Sequence, residues 1–342
     1  MIMHWIDALS LPAAMALGVG ALALLVLSAD LAVGRLVALA EYLRLSSTFM
    51  GMTVVSLATS IPEITAHLTA SGSILTGTLD YQVGSAIVLG SNIGSDVVQQ
   101  TLILGLVVLI VGSLRFRRYF IWKSLVPMIA SALLCLLLGM NGGYSRLDGA
   151  LLFGAFGGYT YYLYADERKH FGPAPTADGQ GGAAITTRRQ AWMAAGVTLG
   201  AIAITVLSAQ AVLGVTEQVV SATGIGGSLI GVLTLGVASA LPELTTALAG
   251  ARKNDHGISL GTLVGSNITN PLVGIGLGAV VSTYAAPRPF LVWDLPWQAL
   301  GGAALLGCLV LNEGRLSRRG AVLLIGLYAA YIGLRVAFFA ND

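Results

Sequence analysis

Charge is what this chain has least of. Of its 342 residues only 10% are Asp, Glu, Lys or Arg, where soluble domains carry about 25%. Hydrophobic residues make up 56%, and the mean hydropathy is +0.82. That composition excludes a water-soluble globule and describes a polytopic all-α membrane protein embedded in a lipid bilayer. The net charge is only +2, so no nucleic-acid partner is expected. Cysteine is nearly absent. Cys135 and Cys308 both sit in apolar runs and read as small packing residues, not as a disulfide or a metal pair. Histidine is confined to His4, His67, His170 and His256, with no His-Glu-x-x-His spacing. Neither an enzyme nor a bound cofactor is expected. No Lys or Arg precedes the first apolar run, and that run outlasts a signal-peptide core, so it reads as a retained helix.

What the chain does have is long apolar segments. A membrane helix needs about 20 mainly apolar residues, and ten such segments can be counted. The one long polar stretch, residues 166–190, is rich in Gly, Ala, Pro and Thr and reads as a linker. It divides a first five-helix repeat, residues 1–165, from a second, residues 191–342. Fifteen of the 18 Lys and Arg fall in alternate connections, and only Arg146, Arg288 and Arg335 fall in the others. The positive-inside rule then puts the linker in the cytoplasm and both termini outside.

The two halves share a pattern. Ser28-Ala29-Asp30 matches Ser208-Ala209-Gln210, and an ungapped alignment from there puts Gly51 on Gly231, Thr59 on Ser239, Ser60 on Ala240 and Glu63 on Glu243. Further on, Gly90-Ser91-Asn92-Ile93-Gly94-Ser95 matches Gly265-Ser266-Asn267-Ile268-Thr269-Asn270. Five helices per half is an odd number, so the halves are expected to lie upside down relative to each other. Inverted repeats with interrupted helices point to a secondary transporter.

The chemistry sits in those matched motifs. Glu63 and Glu243 each follow a proline inside an apolar run. A buried acid in lipid is costly and marks function, and proline removes a helical hydrogen bond at the same place. Hard cations such as Na⁺ and Ca²⁺ take carboxylate, hydroxyl, amide and carbonyl oxygens. Thr59, Ser60 and Ser239 lie one turn before the glutamates, and Ser91 with Ser95, like Ser266 with Asn270, share a helix face. Gly84, Gly90, Gly261 and Gly265 read as packing residues, and Asn92 and Asn267 fit a site or a cross-helix hydrogen bond equally. His67, one turn beyond Glu63, reads as cavity wall.

With these residues in view, the paired motifs resemble the two α-repeats of the sodium/calcium exchangers, within the cation/calcium antiporter superfamily. The resemblance covers nearly the whole chain. It implies an antiporter that moves Ca²⁺ against Na⁺ by alternating access, in a cell inner membrane. It also implies a metal site of Thr59, Ser60, Glu63, Ser91, Ser95, Ser239, Glu243, Ser266 and Asn270. Ser95 stands where that family usually has Asn or Asp, Ala240 where it has Ser, and Ala58 and Ala238 where it has Gly. The thinned ligand set keeps open an H⁺- or Na⁺-driven exchanger of another cation. Asp96 follows Ser95 inside a long helix and is expected to face an aqueous cavity or to be held by hydrogen bonds. Asp30 has no acidic mate in the repeat and is not assigned to the site.

Overall fold

A computed structural model describes residues 9–42, 56–116, 118–170, 185–252 and 256–342. Among these residues the chain is almost wholly helical. Helix α1 (Leu11–Tyr42) comes first; α2 (Ser56–Thr59) and α3 (Ile61–Leu75) are separated by Ser60 alone. Helix α4 (Tyr81–Val111) contains a π-helical stretch, Val98–Ile103. Helices α5 (Arg118–Gly139), α6 (Arg146–His170) and α7 (Arg188–Thr223) follow. Helix α8 joins Gly227–Gly231, a π-helical Val232–Gly236 and Val237–Ser239, and Ala240 parts it from α9 (Leu241–Arg252). Helix α10 runs from His256–Thr269 through a π-helical Asn270–Ile275 to Gly276–Ser282. Helices α11 (Phe290–Leu311) and α12 (Arg318–Phe338) complete the chain.

Eight helices among the described residues are long and apolar enough to cross a membrane. Two stretches from the sequence count fall short of that measure. One, expected over Ser47–Ser71, is described only from Ser56 on and is split at Ser60 into α2 and α3, and Arg146–His170 is rich in Gly and Tyr. Helix α6 runs on to His170 and α7 begins at Arg188, each past the expected linker boundary; residues 171–184 lie outside the described residues, as does Gly51.

Local sequence sets the ends of the elements. Asp80 caps α4 by accepting from the Val83 amide at 2.9 Å. Thr187 and Gln190 form a capping box at the start of α7, and Gly224 ends that helix at φ 69°. Pro62 and Pro242 restart helices α3 and α9. Each lacks the N–H that would meet the carbonyl four residues back, Ala58 in one copy and Ala238 in the other.

Helices α4 and α10 hold the interior, while α1 and α12 are the least buried spans. Helix α8 crosses α4 backbone against backbone. A Cβ on Gly90 would lie 2.2 Å from the Ser228 carbonyl oxygen, and one on Gly231 would lie 2.3 Å from that of Ile87. Only glycine permits that approach. Helix α7 lies along α1, with the Ser28 and Thr205 hydroxyls 2.8 Å apart.

Two short antiparallel ribbons tie the first part of the chain to the second. Strand β1 (Ser113–Arg115) pairs with β4 (Arg315–Ser317), and β2 (Gly143–Tyr144) with β3 (Tyr284–Ala285). Two ion pairs act within one part each. Lys123 on α5 meets Tyr162 and Asp166 on α6. Asp294 on α11 meets Tyr331 and Arg335 on α12. Arg335, assigned from sequence to an outer connection, is instead fully buried within α12, because Asp294 supplies its counter-charge.

Candidate ion-binding site

The helix breaks at Ser60 and Ala240 bring two acids and several hydroxyls together. Glu63 and Glu243 are both buried. Glu63 Oε1 accepts from Ser95 Oγ at 2.7 Å, and Ser239 Oγ reaches that same Ser95 oxygen at 3.4 Å. Glu243 Oε1 accepts from Ser266 Oγ at 3.2 Å, and Ser266 lies 3.1 Å from Thr59 Oγ1. Each glutamate is thus held by a hydroxyl from its own part of the chain, and that hydroxyl meets one from the other part. A second rung, Ser56 to Thr269 at 2.8 Å, lies beside the Thr59–Ser266 contact.

The two copies are not used at equivalent positions. Ser95 aligns with Asn270 and Ser266 with Ser91. One glutamate therefore takes the second residue of its i, i+4 pair, and the other takes the first. The partners left over behave differently. Ser91 is buried but makes no side-chain hydrogen bond with the other candidates. Asn270 turns its Nδ2 to Asp96 Oδ1, at 2.8 Å.

What the cluster leaves unpaired carries its chemistry. Buried oxygens without a hydrogen-bond partner include Ser60 Oγ, Glu63 Oε2, Glu243 Oε2, Asn267 Oδ1 and Asn270 Oδ1. A buried polar atom left unpaired costs about 1–3 kcal/mol. A concentration of orphaned acceptors, all oxygen, is what a hard cation would satisfy. Among the described residues no three His, Cys, Asp or Glu side chains gather as a metal centre, so any cation here would rely on hydroxyl, amide and carbonyl oxygens around the two acids.

Several neighbours were not singled out in the sequence. Gln99 donates to Ser95 Oγ at 3.0 Å and accepts from Asn267 Nδ2 at 3.0 Å, linking the two motifs. Gln298 donates to Asp96 Oδ2 at 2.5 Å. The signal available for both was an uncharged amide inside an apolar segment. Asn92 donates to the Asn270 carbonyl at 2.9 Å and lies 3.0 Å from His67 Nε2, while His67 Nδ1 lies 3.0 Å from the Tyr284 hydroxyl. Asn92 and Asn267 thus brace helices through their N–H₂ groups, and both ring nitrogens of His67 have partners. Asp30 is exposed on α1.

The sodium/calcium exchanger protein family matches residues 13–165 and 193–337, which take in both glutamate motifs. The chain belongs to that family. Members of the family are membrane transporters, not enzymes, and this chain is a multi-pass membrane protein of the antiport class. The inner membrane protein YrbG of Escherichia coli K12 is 31% identical over 282 residues, covering 79% of this chain and 80% of that protein. The sodium/calcium exchanger MaX1 of Methanosarcina acetivorans is 24% identical over 344 residues, covering 91% and 95%. The structure of the sodium-calcium exchanger NCX_Mj soaked with Na⁺ and Ca²⁺ superposes with a TM-score of 0.62 at 23% identity. That match covers 94% of this chain and 98% of NCX_Mj, so the two share a fold.

Proposed function

We propose that this exchanger-family chain exports Ca²⁺ in exchange for inward Na⁺ by alternating access, at one central site built from both halves. Its ligands are Thr59, Ser60, Glu63, Ser91, Ser95, Ser239, Glu243, Ser266 and Asn270. The observation that carries the reading is the pair of glutamates, each with one oxygen held by a hydroxyl and the other buried and unpaired. Two carboxylates balance one Ca²⁺, two Na⁺ or two protons. The relatives named for sodium/calcium exchange support the choice of ions.

Ten crossings in two inverted halves fit the two ribbons. Strand β1 follows the third expected span of the first half, and β4 follows the fourth of the second; β2 and β3 reverse those roles. Such an exchange of partners is what a two-fold axis in the membrane plane would produce. The charge distribution supports a cytoplasmic linker and outward termini, and the similarity to YrbG supports an inner membrane.

The test is ion-driven uptake in proteoliposomes. Na⁺-loaded vesicles diluted into Na⁺-free buffer should accumulate Ca²⁺, and Glu63→Gln or Glu243→Gln should abolish that uptake. Ala240 removes one hydroxyl from the site, which favours an H⁺-driven exchanger as the second reading. Uptake that follows a proton gradient and ignores Na⁺ would select it. Flux that needs no ion on the opposite side would reject exchange altogether.

A further inference from the structure

Asp96 is a third buried acid beside the site, and its two oxygens are already occupied. Oδ1 accepts from Asn270 Nδ2 at 2.8 Å and Oδ2 from Gln298 Nε2 at 2.5 Å. In both contacts the carboxyl group accepts, and only the N–H₂ end of an amide can donate. Asp96 therefore takes the N–H₂ end of each amide and turns the carbonyl end away. Both turned-away atoms, Asn270 Oδ1 and Gln298 Oε1, are buried without a partner. The Asn270 backbone is fixed separately, by the 2.9 Å bond from Asn92 to its carbonyl. What remains free at Asn270 is which face of its amide points where.

That choice matters for a cation. The two ends of an asparagine amide have nearly the same shape and opposite polarity: the oxygen attracts a cation and the N–H₂ repels it. We propose that Asp96 is a positioning residue, locking the Asn270 amide so that its oxygen is offered to the transported cation. This rests on reading Asn270 as a ligand. Asp96 has no counterpart in the other half, where Pro271 aligns with it. Nor does that half need one, because Ser95, the mate of Asn270, is a hydroxyl with no amide to orient. The one acid thus faces the one amide, Asp96 of the first half meeting Asn270 of the second.

The experiment uses the full chain in lipid nanodiscs, with equilibrium binding of Ca²⁺ and its displacement by Na⁺ as readouts. Asp96→Asn brings one N–H₂ and one oxygen to two amide donors, so the two amides compete for a single acceptor and the orientation of Asn270 is no longer fixed. Calcium affinity should fall about 10- to 100-fold, the usual cost of losing a group that orients a metal ligand. Adding Asn270→Asp to that variant supplies an oxygen in either orientation and a carboxylate to which the new amide at position 96 can donate. Affinity should then return to within a few-fold of the parent, which a merely structural role for Asp96 would not produce. Unchanged affinity in Asp96→Asn, or a double variant no tighter than the single one, overturns the proposal. If Asp96→Asn fails to fold, the double variant decides alone, since it keeps a carboxylate facing an amide. Asn270→Ala separates the two readings. If it leaves binding intact, Asn270 is no ligand and both fail; if it weakens binding while Asp96→Asn does not, only the positioning role fails.

Discussion

Asp294 and Arg335 form an ion pair 3.0 Å long, with neither side chain exposed. Lys123 and Asp166 form its counterpart at 2.9 Å in the other half, with 23% and 13% of their side chains exposed. The chain offset that carries Tyr162 onto Tyr331 also carries Asp166 onto Arg335, so the same clasp of charge, tyrosine and counter-charge occurs twice with its polarity reversed. Each joins two adjacent helices, and the buried one reaches further: Arg335 also donates to Ser228, at the start of the helix that leads to Glu243.

Burial sets what each clasp is worth. Removing one partner of a buried pair strands the other charge and costs about 3–5 kcal/mol. Arg335→Ala should therefore lower the melting temperature sharply in detergent. Lys123→Ala breaks a partly solvated pair, worth at most about 1 kcal/mol, and should barely move it. Equal shifts in the two variants would show that the clasps do not differ in this way.

The two acids of the site should behave in the opposite sense. Each glutamate has an oxygen that nothing in the protein satisfies, so its charge is a burden to the ion-free fold. Glu243→Gln should leave the ion-free protein as stable as the parent, or more so, while abolishing Ca²⁺ binding. Chelating Ca²⁺ and removing Na⁺ should destabilise the parent, by roughly 2.7 kcal/mol if ions were present at 100 times Kd, and leave the variant unaffected. Thermal unfolding with and without ions measures both.

The sequence showed the acids and hydroxyls because polar groups are conspicuous in apolar runs. Glu63, Glu243 and the Ser-Asn motifs needed only that contrast and the repeat. It did not show the exchange of positions by which Ser95 and Ser266 serve as mates although Ser95 aligns with Asn270. That depends on how far each helix is wound, and each of α4 and α10 contains a π-helical stretch near its motif that no residue pattern announces. Nor could helical periodicity pair Gln99 with Asn267 or Gln298 with Asp96, since these contacts join helices distant in sequence. Arg335 was misplaced for a related reason: counting charges by connection cannot see an acid on the neighbouring helix.

The crossing of α4 and α8 should tolerate no side chain. Gly231→Ala would bring a Cβ to within 2.3 Å of the Ile87 carbonyl oxygen, and backbone cannot swing aside as a side chain does. Overpacking typically costs about 1–3 kcal/mol. The displaced α8 would also carry Ser239 away from Ser95. Loss of both stability and transport is expected. Gly20→Ala, a position with open space around it on α1, is the control and should match the parent in both assays.

Ala240 offers a change in the direction of gain. Its mate in the first half is Ser60, which is buried with an unpaired hydroxyl. An oxygen left in that state is costly unless a ligand takes it. Ala240 fills the matching break between α8 and α9 and is itself fully buried, so the second half lacks the oxygen that the first provides. Ala240→Ser restores it, and the effect should depend on ions. Without cation the extra hydroxyl is an unsatisfied group, and the melting temperature should drop. With cation it becomes a ligand worth about 0.5–1.5 kcal/mol, or roughly two- to tenfold in affinity. Half-saturation for Na⁺ or Ca²⁺ should fall by that factor, and saturating ion should recover the lost stability. A drop in stability that ions do not reverse, with unchanged half-saturation, would place residue 240 outside the ion's reach and confine the second half's share of the site to Ser239, Glu243, Ser266 and Asn270.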